Sequence, residues 1–152
     1  MDEISTLKAE AAELVLPAFD EAAALDLGAR LLALARAGAL PVVIDIRTPD
    51  RTLFHAALPG SAPLNDLWAR RKSATALVYQ QSSLLVGLML RAKGDTLAQN
   101  GLDPADHADH GGAVPIRVAG TGVVAVATVS GLPSREDHAL VVQALRAMRT
   151  QG

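Results

Sequence analysis

Residues 106–138, DHADHGGAVPIRVAGTGVVAVATVSGLPSREDH, decide the fold. The stretch opens as a polar loop closing on Gly111-Gly112. Val114, Ile116 and Val118 then alternate with Ala113, Pro115 and Arg117, so a first strand has one apolar and one mixed face. Pro115 has no N–H to give to a ladder, which puts that strand at a sheet edge or a bulge. Gly120-Thr121-Gly122 supplies two residues free to take positive φ and joins the strand to the next run as a hairpin. Residues 123–129 are small or apolar on both faces, the pattern of a central strand covered on both sides. Ser130-Gly131-Leu132-Pro133 breaks this strand. Ser134 followed by Asp137 resembles a capping box, Glu136 and Asp137 suit the positive end of a helix dipole, and Leu140, Val141, Ala144, Leu145 and Met148 make an apolar helical stripe.

Upstream, Ile4, Leu7, Ala11 and Leu14 share one side of a short helix that ends before Pro17. Asp20 caps a second helix running to Gly38, with Ala23, Leu27, Leu31 and Leu34 as its stripe. Leu25 and Leu32 widen that apolar surface, as core or as a subunit contact. Val42, Ile44 and Ile46 alternate with Val43, Asp45 and Arg47, and a turn at Thr48-Pro49-Asp50-Arg51 leads into a strand over 52–57. Asn65 is the expected N-cap of a helix through about Gln81, with Leu67, Trp68, Ala74, Leu77 and Val78 facing the core. Ser82-Ser83 interrupts the pattern before a short apolar helix over 84–90, and 100–112 is polar and turn-rich. The chain therefore predicts one α+β domain over residues 1–152. Its antiparallel sheet is built from two hairpins flanked by helices, with 42–46 and 123–129 side by side in the middle. The hairpin loops are too short for the crossover helices of a parallel sheet.

The chain has 152 residues, half of them apolar, with a net charge of −2 and only Phe19, Phe54, Trp68 and Tyr79 as aromatics. So few stacking platforms, on a slightly acidic chain, argue against nucleic-acid binding. No apolar run approaches the roughly 20 residues a bilayer requires, and Met1-Asp2-Glu3 does not begin a secretory signal, so a cytoplasmic, non-membrane protein is expected. Cysteine is absent, which excludes disulfides, thiolate catalysis and cysteine-ligated metals.

Several motifs carry candidate chemistry. Gly120-Thr121-Gly122 opens a β-branched run rather than a helix, so it is no dinucleotide fingerprint, and no flavin or nicotinamide motif is present. Ser130-Gly131 lacks the preceding glycine of a nucleophile elbow. Arg70-Arg71-Lys72 falls early in its helix, where cations gain nothing from the dipole; it is a solvated face, a partner for acids elsewhere, or a site for a carboxylate or phosphate. His107 and His110, beside Asp106 and Asp109, can ligate a metal or belong to a solvated loop. His55, on the strand face of Leu53 and Ala57, reads as a packed histidine. His138 reads as a hydrogen-bond partner of neighbouring acids.

The ordered run His110-Gly111-Gly112-Ala113-Val114-Pro115-Ile116, then Gly122, Val129-Ser130-Gly131-Leu132-Pro133 and Glu136-Asp137-His138, resembles the haem-degrading-domain family, also called GlcG/HbpS-like. Phe54, Pro59-Gly60, Asn65, Trp68, Arg71-Lys72 and Ser82-Ser83 extend the resemblance to the landmarks of its stand-alone, uncharacterised branch. The chain departs from that branch at His107, where an aromatic is common, and at Val114, where Phe is common. The resemblance implies a profilin-like fold, assembly into dimers or larger homo-oligomers, and haem or another tetrapyrrole as ligand, with haem degradation or iron handling in some members. Haem requires an axial ligand and cations for its propionates. His110, or else His107, is the candidate iron ligand, with Arg71 and Lys72 as anion partners. Two other classes fit the same residues: a non-enzymatic assembly or adaptor protein, in which the glycines only shape the backbone, and a small organic acid sensor or enzyme that holds a carboxylate on Arg71 and Lys72.

Overall fold

A computed structural model describes residues 2–151; Met1 and Gly152, the ends of the expected domain, lie outside the described residues. Helices α1 (Glu3–Glu13) and α2 (Glu21–Ala37) precede the hairpin β1 (Val43–Arg47) and β2 (Thr52–Ala57). Helices α3 (Pro63–Tyr79) and α4 (Ser83–Lys93) follow, then a 3-10 turn at Ala98–Asn100, the hairpin β3 (Ala113–Val118) and β4 (Gly122–Ser130), and α5 (Ser134–Gln151). The strands form one antiparallel sheet in the order β2-β1-β4-β3. The two hairpins thus meet through β1 and β4, and Pro115 lies on an edge strand, as the alternation and the missing donor require. Part of that edge is covered by Leu16, whose N–H donates to the Arg117 carbonyl at 2.8 Å and whose carbonyl accepts from Ala119 N–H at 2.9 Å.

Register fixes which side chains share a face. Ile44 pairs with Val129, Val114 with Ala127 and Ile116 with Ala125; these side chains, all buried, meet Leu27, Leu31 and Ala35 of α2 and Val141 and Leu145 of α5. Each large aliphatic side chain buried there stabilises the fold by about 1.5–3 kcal/mol relative to exposure. Gly28 lets α2 lie directly on the Phe54 ring, where a Cβ would collide. On the opposite face Asp45 pairs with Thr128 and Val43 with Ser130, and α3 packs over them through Ala69, Lys72, Ser73, Thr75 and Ala76.

That second face corrects several expectations. Leu67 and Val78 do not face the core: they are exposed, with Leu64, on the outer side of α3, because the inner side presents small and polar groups to a closely approaching sheet. Asn65 is not the N-cap. The helix starts at Pro63, whose fixed φ suits a first turn, and Asn65 Oδ1 reaches back to accept Ala62 N–H at 2.9 Å. Helix α4 is longer than 84–90: Ser82 caps it by accepting Leu85 N–H, and it continues to Lys93 before Gly94 ends it at φ +68°. Ser134 is already inside α5, and Asp137 does not close a capping box with it. Its carboxylate instead accepts Gly131 N–H at 3.3 Å and Leu132 N–H at 3.0 Å, while the Pro133 carbonyl takes the first helical N–H groups. Leu25 is exposed, whereas Leu32 packs against the core.

Candidate functional site

Helix α3, the loop before β3 and the start of α5 converge on an open cleft of about 310 Å³, lined by Asn65, Trp68, Lys72, His110, residues 130–134 and Asp137. Each wall has a local cause. The loop can pass under α5 because residue 111 is glycine: a Cβ there would strike the Ser134 carbonyl. Gly112 sits at φ +141°, and a Cβ there would strike the Val129 carbonyl and come within 2.9 Å of Lys72 Nζ. Gly87 in turn leaves room for the Asp109 carbonyl against α4. The paired glycines and Gly87 are what bring His110 to α3.

The floor is a buried ion pair. Lys72 is 4 % exposed and donates to Asp137 Oδ2 at 2.9 Å and to the Val129 carbonyl at 3.4 Å. Burial pushes the Asp137 carboxyl above its usual range, against the pull of the Lys72 ammonium and the Leu132 and Gly131 N–H groups. Beside the pair, Ser73 and Thr128 hydroxyls meet at 2.8 Å. At the mouth, the His110 ring stands edge-on to Trp68, centroids 5.1 Å apart. The Arg71 guanidinium lies 4.4 Å over the same indole while its Nε donates to the Pro104 carbonyl at 3.0 Å.

The structure therefore brings His110 and Arg71 onto Trp68 and puts Lys72 on the floor of the cleft that Trp68 and His110 line, and it sets His107 apart. His107 Nδ1 lies 3.1 Å from the Asp103 carbonyl within its own loop, and the residue does not line the cleft. Among the described residues no three His, Asp or Glu side chains gather as a metal cage. Among the cleft's lining, Trp68 and Asp137 lie outside the residues expected to form the site. Hydrophobicity places Trp68 in the core, and position at a helix start places Asp137 in a cap, although a Lys 65 positions earlier is its partner.

Two other histidines are explained by carboxylates. His55 is not packed among apolar groups: its side chain is 40 % exposed, and its ring nitrogens lie 3.0 Å from Asp45 and 2.8 Å from Asp66. Asp45 is buried and also accepts two hydrogen bonds from Arg47. His138 meets Glu10 of α1 at 2.7 Å. Among the described residues, no helix is long and apolar enough to cross a membrane.

Comparison with known proteins agrees with this fold. A UPF0303 protein of Streptomyces avermitilis is 50% identical over 149 residues, covering 97% of this chain and 91% of the relative. A UPF0303 protein of Paraburkholderia xenovorans is 44% identical over 146 residues, covering 95% and 88%. The crystal structure of Ybr137w protein superposes with a TM-score of 0.87 at 33% identity, covering 97% of this chain and 88% of that one. HbpS shares the fold at a TM-score of 0.68 and 20% identity, covering 86% and 89%. The PduOC:heme complex shares it at 0.71 and 18%, covering 88% and 95%. The model of the family described as haem degrading protein HbpS-like matches residues 19–146, and the chain belongs to that family.

Proposed function

We propose that this chain is a cytoplasmic, homo-oligomeric tetrapyrrole-binding protein that takes haem at the cleft between α3, the 106–112 loop and the start of α5. The observation that carries the reading is His110. Its imidazole stands half exposed at the mouth of the cleft against Trp68, and among the described residues nothing hydrogen-bonds its Nε2. A haem site needs an axial donor, a flat apolar wall and cations for the propionates, and His110, Trp68 and Arg71 offer these in that order. Asp109 Oδ1, 3.8 Å from the other ring nitrogen, is placed to orient a ligating imidazole. Lys72 contributes less than the sequence suggests, because its charge is already matched by Asp137. When bound, the iron supplies redox chemistry; the chain's own groups bind and orient, and they support binding rather than turnover. That a protein of the same fold has been solved as a heme complex is consistent with this reading.

The cleft is at the small end of ligand sites, which run from roughly 300 to 1,000 Å³, so one chain encloses only part of a macrocycle. Leu64 and Leu67, exposed on the same end of α3 as Trp68, are where a second copy would extend the apolar wall.

The test is a haem titration followed at the Soret band, wild type beside His110→Ala. Saturable binding that the variant loses is expected. Weak, non-saturating binding that is unchanged by the substitution overturns the proposal.

A further inference from the structure

The chain has three lysines, and one is unlike the others. Lys8 and Lys93 are exposed, whereas Lys72 is buried at the floor of the cleft. Its ammonium has three N–H groups: one goes to Asp137, one to the Val129 carbonyl, and among the described residues the third has no partner. Space beside Nζ is kept by Gly112, where a Cβ would stand 2.9 Å away.

We propose that Lys72 is a carbonyl-capturing amine: the cleft takes a small aldehyde or 2-oxo acid, which Nζ holds as an iminium, with Asp137 as the proton shuttle. Lysines serve in this way where burial separates them from water and a neighbouring group can take a proton. Asp137 first removes one proton from the Lys72 ammonium. The amine lone pair adds to the carbonyl carbon, and a second amine proton passes to the former carbonyl oxygen. Asp137 then returns its proton to that hydroxyl, which leaves as water. The product is an iminium on Nζ beside the Asp137 carboxylate; nothing is oxidised or reduced. The buried charges at the end equal those at the start, so capture adds no desolvation cost of a new ion. The upward push on Asp137 makes its protonated form accessible during the step. Asn65, Ser130 and Ser134 line the cleft as hydrogen-bonding groups for the carbonyl oxygen, and the Arg71 guanidinium, over the Trp68 ring that lines it, adds positive charge for the carboxylate of a 2-oxo acid.

Imine capture uses the cleft proposed for haem but needs neither iron nor His110, so the two readings fail separately. The experiment is reductive trapping on the full chain with glyoxylate and sodium cyanoborohydride, with modified amines mapped by peptide mass spectrometry. The expected result is modification of Lys72 faster than of Lys8 or Lys93 by about tenfold, equivalent to about 1.4 kcal/mol. Pyruvate should compete, and the preference should vanish in Lys72→Arg. Exposed lysines should win if Lys72 is only a counter-ion. Labelling confined to Lys8, Lys93 and the α-amino group, or reaching Lys72 only after unfolding in urea, overturns the proposal. The wild-type map decides the matter even if the variant folds poorly.

Discussion

The two faces of the sheet use the same four strands in different ways. The face under α2 and α5 is aliphatic: Ile44, Ile46, Val114, Ile116 and Val129 pack on Leu27, Leu31, Val141 and Leu145. The face under α3 holds Asp45, Lys72, Ser73, Thr75, Thr128, Ser130 and Asp137, all buried. The first is held by non-directional apolar burial. The second combines a small apolar cluster of Ala76, Ala113 and Val126 with matched polar groups, each of which is costly if its partner is lost. The cleft opens on the second face, where small and polar side chains leave donors and space, while the aliphatic face buries its large side chains closely against α2 and α5.

The sharpest way to break this comparison is to unmatch one polar partner. Asp137→Ala would leave the Lys72 ammonium buried without its carboxylate and free the Gly131 and Leu132 N–H groups. A loss of about 4 kcal/mol in urea unfolding is expected, with much of it recovered in a Lys72→Met/Asp137→Leu double variant. A double variant as unstable as the single would show that the pair matters for more than charge matching. On the aliphatic face, Leu31→Ala should cost about 3 kcal/mol by leaving a cavity, and no partner substitution should restore it.

The smallest effect is expected where like chemistry is exposed. Arg135 donates two hydrogen bonds of 2.7 Å to Glu3 and holds its carboxyl below the usual range. A lowered folded-state value means that this contribution is present above the ordinary carboxylate range and is lost as pH falls through the lowered value. Because the pair is solvated, the global unfolding midpoint should not move measurably in Glu3→Gln at neutral pH. NMR shifts of α1 should nonetheless show acid-induced loosening in wild type that the variant lacks.

Much of this architecture is legible in the chain. Period-two alternation in 42–46 and 113–118, Pro115 on its edge strand and the glycine turn at 120–122 specify two hairpins and which strands lie in the middle, because strand facing and turn geometry depend on nearby residues. The helical stripes of α2 and α5 are equally plain. Helix α3 was the exception: Leu64, Leu67 and Val78 point outward, and its buried face of Ala69, Lys72, Ser73, Thr75 and Ala76 has no apolar periodicity to reveal it. The glycines and His110 mark the loop of the candidate site in sequence, and the family resemblance puts Lys72 at the same site, but no local pattern shows that it lies buried under that loop.

The sequence by itself therefore determined the element order, the pairing of the hairpins and the aliphatic face, since each follows from backbone preference and hydrophobic period over a few residues. Only the tertiary structure decided that Lys72 meets Asp137, that Arg71 and His110 share Trp68, and that His107 stands apart from them. Arg71 meets Trp68 three residues along the same helix, but the Trp68–His110 and Lys72–Asp137 contacts join α3 to residues about 40 and 65 positions away, and ion pairing and ring contact depend on distance in space, which local sequence pattern does not encode.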